Sequence, residues 1–273
     1  MSRAPISVRT TGLISFVFSE QNSLNIPKIM NSKSDSIFHF TKNLRILKSI
    51  LKDGFWPRYC REDVSQLTAK QLDYVSFPMV CFCDIPLSRI KDHVGYYGKF
   101  GLGLTRSWAE RNGLNPILYL SSGNELTKEM LNLNSHANKL EKEDKEKAKI
   151  TMRYIFAYSK PSEGMTMRGE KSIKKKFYLE SEWRYVPKHL KLEPYLKKDD
   201  HEKPDVLRRA NDNSKSLCLL KFSPEDVRYI FVKRDADIPQ IMDYIESELD
   251  LEEDEAKILA SRVLSLEGLH ADL

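Results

Sequence analysis

The chain has 273 residues, 41% hydrophobic and 30% charged, with 44 Lys and Arg against 39 Asp and Glu for a net charge of +5. That length buries a full core without disulfide staples, and no apolar run approaches the roughly 20 residues that cross a bilayer. A cytoplasmic protein is expected, with a mild positive balance compatible with a polyanionic partner.

Residues 1–35 mix Ser, Asn, Pro and Lys around one short apolar run, Leu13 to Phe18. They read as an N-terminal arm with an edge strand at most, since the run is too short for a signal-peptide core. The densest order follows in IFHFTKNLRILKSILKDGFWPRYC, from Ile37 to Cys60. An apolar strand comes first, then Leu44, Ile46, Leu47, Ile50 and Leu51 recur three to four apart, the spacing of an amphipathic helix. Gly54 supplies the helix stop. His39 and Thr41 therefore share one strand face just before the helix. A buried imidazole or hydroxyl needs a hydrogen-bond partner, supplied either by the fold, with Thr41 near the helix N-cap, or by a ligand.

A polar loop with Arg58, Arg61, Glu62 and Asp63 is the expected place for a ligand clamp. Phe77 to Ile85, with Pro78 at its start, reads as a strand buried on both faces. Cys81 and Cys83 share one of those faces. With Cys60 and Cys218 they make four cysteines, and Cys-x-Cys lacks the gap of a zinc knuckle, so no metal is expected. Tyr96 to Leu104 is glycine-rich but lacks the phosphate-loop and dinucleotide fingerprints, and reads as a closely packed strand. Helices are expected at Arg106 to Asn112 and from Asn124 to about Tyr158, with a short strand at Pro116 to Leu120 between them. The charged run Lys139 to Lys149 is a solvated helix face.

Ser159 to Lys176 breaks periodicity and carries Lys171, Lys174, Lys175 and Lys176, which suggests a mobile loop over a site. Phe177 to Pro187 alternates as a strand, with Glu180, Glu182 and Arg184 on one face. Glu182 and Arg184 suit either a site or a surface ion pair. Lys188 to Lys215 reads as a polar loop, Leu217 to Phe222 and Val227 to Val232 as strands, and Ile238 to Leu249 and Glu252 to Leu264 as closing helices. With few regular strand-helix alternations, the class is α+β. One main domain spans 36–235, with helices of 236–273 packed on it.

A strand with His39 and Thr41 and a later strand with Glu180-x-Glu182 together resemble the ADP-ribosyltransferase superfamily. HFTKNLRILKSILKDGF, PMVCFCDIPLS, HVGYYGKFGLGL, KPSEG and ESEWRYVP, in that order, more closely resemble the AbiGi family of abortive phage resistance proteins. The superfamily resemblance implies a split β-sheet with flanking helices and a C-terminal helical pair, and NAD as cofactor. It implies that His39 bonds a ribose hydroxyl, the Phe40 backbone holds the nicotinamide amide, and Thr41 supports that pocket, as in DarT-like enzymes that modify nucleic acid. Tyr96 or Tyr97 would stack on nicotinamide, and Arg58 or Arg61 would neutralise the pyrophosphate. Glu182 would be catalytic and Glu180 would bond the acceptor. The implied function is a mono-ADP-ribosyltransferase toxin acting on nucleic acid or protein. The alternative is a non-catalytic antitoxin or sensor with a cognate partner.

Overall fold

A computed structural model describes residues 35–168 and 171–272; the expected arm and its edge strand at Leu13 to Phe18 lie outside them. The elements begin with β1 (Ser36–Thr41), α1 (Leu44–Asp53), β2 (Arg58–Asp63), β3 (Tyr74–Cys83), α2 (Ile90–Tyr97), β4 (Phe100–Thr105) and α3 (Arg106–Arg111). Next come β5 (Asn115–Pro116), β6 (Leu118–Leu120), α4 (Glu125–Lys139), α5 (Lys142–Ala157), β7 (Ser159–Pro161) and the hairpin of β8 (Glu163–Arg168) with β9 (Lys171–Lys176). The chain continues through β10 (Glu182–Tyr185), β11 (Leu196–Lys197), α6 (Lys198–His201), α7 (Pro204–Cys218) and β12 (Val227–Val232). It closes with α8 (Ile238–Glu248), α9 (Glu253–Ala260), β13 (Val263–Ser265) and α10 (Leu266–Asp272). The fold is α+β.

The main sheet runs β13-β12-β4-β1-β3-β10-β5, with β2 and β11 also paired to β3. β1 pairs with β4 along its whole length, from Ser36↔Thr105 to Thr41↔Phe100. Its pairing with β3 is confined to Phe38↔Cys83, so the sheet opens between these two strands from His39 onward. Three apolar clusters hold the opening. Ile37, Leu47, Phe82, Trp108 and Trp183 pack under α1 and α8. On the opposite face Phe38, Phe40 and Cys83 pack with α2 through Ile90 and Val94. Val75, Phe77 and Met79 pack against α4 and α5 through Met130 and Phe156.

Several expectations are corrected. The α1 N-cap is Asn43, whose side chain accepts from the Ile46 N–H at 3.0 Å, and Thr41 is instead buried at the strand end. The polar segment after α1 is a strand because β3 begins at Tyr74 and offers it a ladder from Asp63↔Tyr74 to Arg58↔Met79. Ser159–Lys176 is not a loop: β7 pairs with β6, and the lysine-rich arm pairs with Glu163–Arg168. The expected strand at Leu217–Phe222 is reduced to one bridge, Phe55↔Leu220, because α7 runs on to Cys218. That helix, read from sequence as loop, buries Ala210, Ser214 and Cys218, each four residues from the next. The last expected helix stops at Ala260, and Val263–Ser265 joins the sheet parallel to β12.

Candidate functional site

Sequence alternation puts Glu180 and Glu182 on one strand, but the backbone does otherwise. Phe177–Glu180 forms a 3-10 turn, Ser181 takes a left-handed φ of 44°, and β10 starts at Glu182. Ser181 is fastened by its carbonyl, which accepts from the Asp84 N–H at 3.1 Å. This kink turns both carboxylates toward Lys160 on β7, at 3.5 Å from Glu180 and 2.9 Å from Glu182. Glu182 Oε1 also accepts from Arg184 Nε at 2.7 Å, and Arg184 Nη2 reaches Glu62 on β2 at 2.9 Å. Glu180 accepts from the Tyr97 hydroxyl and from Lys175 of the hairpin, the latter at 2.5 Å. The Glu182–Arg184 pair is buried, with Arg184 fully enclosed, so it is no surface ion pair.

Three carboxylates and three cations thus form one balanced network, as burial of charge demands. Burial pushes the Glu182 carboxyl up, but Arg184 and Lys160 outweigh this and hold it well below the usual carboxylate range. In Glu62 burial wins over Arg184 and Lys160, and its carboxyl sits above the ordinary value. Burial alone would lower Lys160, yet the three carboxylates raise it. Burial and then Glu180 push the Tyr97 hydroxyl far up.

His39 stands where β1 and β3 separate, its Nδ1 2.8 Å from the Cys81 carbonyl across the gap. A carbonyl only accepts, so Nδ1 carries the proton. Burial lowers the imidazole's pKa despite that bond, leaving a neutral ring whose Nε2 is an acceptor. The core reading of this histidine is met by Cys81 and by edge-on packing against Phe55 at 5.1 Å. Yet the ring also borders two cavities. One, about 250 Å³, contains Glu62, His93, Tyr97, Lys160, Glu180 and Glu182. The other, about 640 Å³, lies toward α1 and contains Arg45, Ser49, Phe55, Trp56, Arg58 and Cys60.

The remaining candidates separate. Arg58 lines the larger cavity with its guanidinium 4.1 Å from the Trp56 ring, whereas Arg61 lies away from His39 and stacks on Tyr74 at 5.5 Å. Tyr97 lines the smaller cavity; Tyr96 turns to Thr166, 2.6 Å from its hydroxyl. Phe40 borders the cavity beside His93 at 5.6 Å between ring centroids. Thr41 contributes through its backbone: a Cβ on Gly98 would lie 2.1 Å from the Thr41 carbonyl oxygen, and Gly98 has φ 136°. That contact seats the end of α2, and with it Tyr97. Sequence reasoning missed Lys160 as a candidate site residue and named Glu62 only as one member of an expected clamp loop. Lys160 precedes a proline in a weakly patterned segment, and Glu62 sat in what read as a loop. Alternation on a recognised β2 would have grouped Glu62 with Arg58 and Cys60. Among the described residues no group of His, Cys, Asp and Glu is arranged to hold a metal ion, and no helix is long and apolar enough to cross a membrane.

No solved structure matches the chain. An abortive phage resistance protein AbiGi of Lactococcus lactis subsp. cremoris is 29% identical over 253 residues, covering 80% of this chain and 99% of that protein. The profile of the family described as "Putative abortive phage resistance protein AbiGi, antitoxin" matches residues 53–233, which include β2, the Lys160 strand and all of β10. The chain belongs to the AbiGi family.

Proposed function

We propose that this chain acts in abortive phage resistance by transferring the ADP-ribosyl group of NAD to an acceptor. The observation that carries this reading is the sheet opening beneath His39, with Glu182 of β10 facing the same cavity. The larger cavity, about 640 Å³, is of the size that holds a small molecule. Its Arg45 and Arg58 suit a pyrophosphate, and Phe55 and Trp56 suit flat rings. His39 Nε2 would accept from a ribose hydroxyl, the Phe40 backbone would border the nicotinamide end, and Tyr97 would flank it, held there by the seat that the Thr41 carbonyl gives the end of α2. Of the two arginines, Arg58 is the one beside His39. Bound NAD would supply the ADP-ribosyl group, whose ribose gains positive charge as nicotinamide departs. The Glu182 carboxylate, ionised throughout, faces that charge. The basic balance favours a nucleic-acid acceptor.

A second reading is a non-catalytic antitoxin that keeps the fold to bind a cognate toxin, as the family description suggests. It is favoured by one feature: Arg184 and Lys160 already occupy both Glu182 oxygens. Millimolar NAD in a melting experiment separates the two. A dose-dependent rise in melting temperature is expected if the folded chain binds NAD. Labelled NAD incubated with lysate, then digested separately with nuclease and protease, identifies the acceptor. No shift and no labelled product would leave the antitoxin reading.

A further inference from the structure

A third cavity adjoins the site. It has about 410 Å³ and is lined by Arg61, Gln66, Tyr96, Thr166, Lys175 and Phe177. It shares Glu62, Tyr97 and Lys160 with the 250 Å³ cavity, so these three form the partition between the two spaces. Of the three carboxylates, Glu182 has both oxygens engaged and Glu180 accepts from Tyr97 and Lys175 and faces Lys160. Glu62 differs. Its Oε1 accepts from Arg184 at 2.9 Å, and its Oε2 meets no donor among the described side chains.

We infer that the 410 Å³ chamber is the acceptor site of the proposed transferase and that Glu62, not Glu180, takes the acceptor's proton. The inference rests on the transferase reading and adds where the second substrate sits. The acceptor's nucleophile is an O–H or N–H. Its heteroatom bonds to the ribose anomeric carbon while that carbon's bond to the pyridinium nitrogen breaks. The electron pair of the broken bond leaves with neutral nicotinamide, and the acceptor's proton passes to Glu62 Oε2. Glu62 is faced by Arg184 and Glu182 from β10, Lys160 from β7, Tyr97 and His93 from α2, Cys81 from β3 and Glu180 from the 3-10 turn. Burial holds the Glu62 carboxyl above its ordinary value, the direction that suits a group taking a proton.

The test uses the full chain as wild type, Glu62→Gln, Glu62→Asp and Glu180→Gln. NAD-induced melting shifts and the rate of label transfer are measured between about pH 5 and 9. Glu62→Gln should keep the NAD shift, lose transfer by about 100-fold or more and lose the rise of rate with pH. Glu62→Asp should restore part of that rise, and Glu180→Gln, whatever it does to the absolute rate through Tyr97 and Lys175, should keep it. Wild-type transfer and pH profile in Glu62→Gln, or loss of the rise in Glu180→Gln alone, would overturn the inference. If wild type neither shifts with NAD nor transfers label, the transferase reading fails. That outcome overturns the inference too, since the chamber then has no acceptor to hold, and it is distinguished from failure of the inference alone, in which wild type transfers label and Glu62→Gln does so equally well.

Discussion

Glu182 shows how one side chain belongs both to the charge balance of the fold and to the candidate site. Its carboxylate balances Arg184 and Lys160 in a buried setting, so Glu182→Gln leaves two enclosed cations short of one charge. The expected cost is about 3–5 kcal/mol, the scale for removing one partner of a buried ion pair. The pH dependence has a definite sign. The folded pKa of Glu182 is depressed, so its stabilisation is complete above the unfolded value near 4.3 and is lost as pH falls toward the folded one. The stability gap between wild type and Glu182→Gln in urea should be flat above about pH 5 and close below about pH 4. A gap that widens on acidification would show that Glu182 is not held ionised. Glu62 works in the opposite sense: its raised pKa favours the fold at low pH and withdraws that contribution as pH rises through the folded value.

Among the elements, the site depends on how β1, α2, α7 and the hairpin are braced. α7 reaches Trp56 beside the larger cavity, whose indole N–H lies 2.9 Å from the Asn211 carbonyl and 3.1 Å from the Ser214 hydroxyl. The Tyr59 N–H donates to Asn211 Oδ1 at 2.9 Å, tying β2 to the same helix. The end of α2 is seated by the contact of Gly98 with the Thr41 carbonyl, where no side chain fits. Gly98→Ala should cost on the order of 3 kcal/mol or more, since backbone strain adds to a clash with main chain. Gly113 also has positive φ, at 70°, but open space around it, so Gly113→Ala should cost only about 1–2 kcal/mol. Urea midpoints of the two variants check the difference. Equal losses would mean that the Thr41 contact yields without cost.

At the scale of the whole molecule the net charge of +5 does not say which lysines face a polyanion. In the hairpin Lys175 is turned inward, 2.5 Å from Glu180 and 3.6 Å from the Tyr96 ring centroid, whereas Lys174 and Lys176 point out. If a polyanion docks on the hairpin, Lys174→Ala and Lys176→Ala should each lower the slope of log affinity against log salt by about one. Lys175→Ala should leave that slope unchanged and disturb the site instead. An unchanged slope in the first two variants would remove the hairpin from the interface.

The amino-acid pattern by itself determined β1, α1, the buried β3 and the glycine-rich β4, because each has a strong period or a continuous apolar run that only one local conformation satisfies. It also singled out His39 and Glu182 as candidates. Tertiary structure decided the rest. β2 is a strand because β3 is long enough to pair with it, and α7 is a helix because its few apolar positions meet Tyr59, Leu192 and Leu196. The strand expected to hold both Glu180 and Glu182 is broken by one left-handed residue, Ser181, which no periodicity reveals. Glu62, Lys160 and Arg184 lie far apart in sequence, and only the packing of three strands joins them with Glu180, Glu182 and Lys175 in one charge-balanced network.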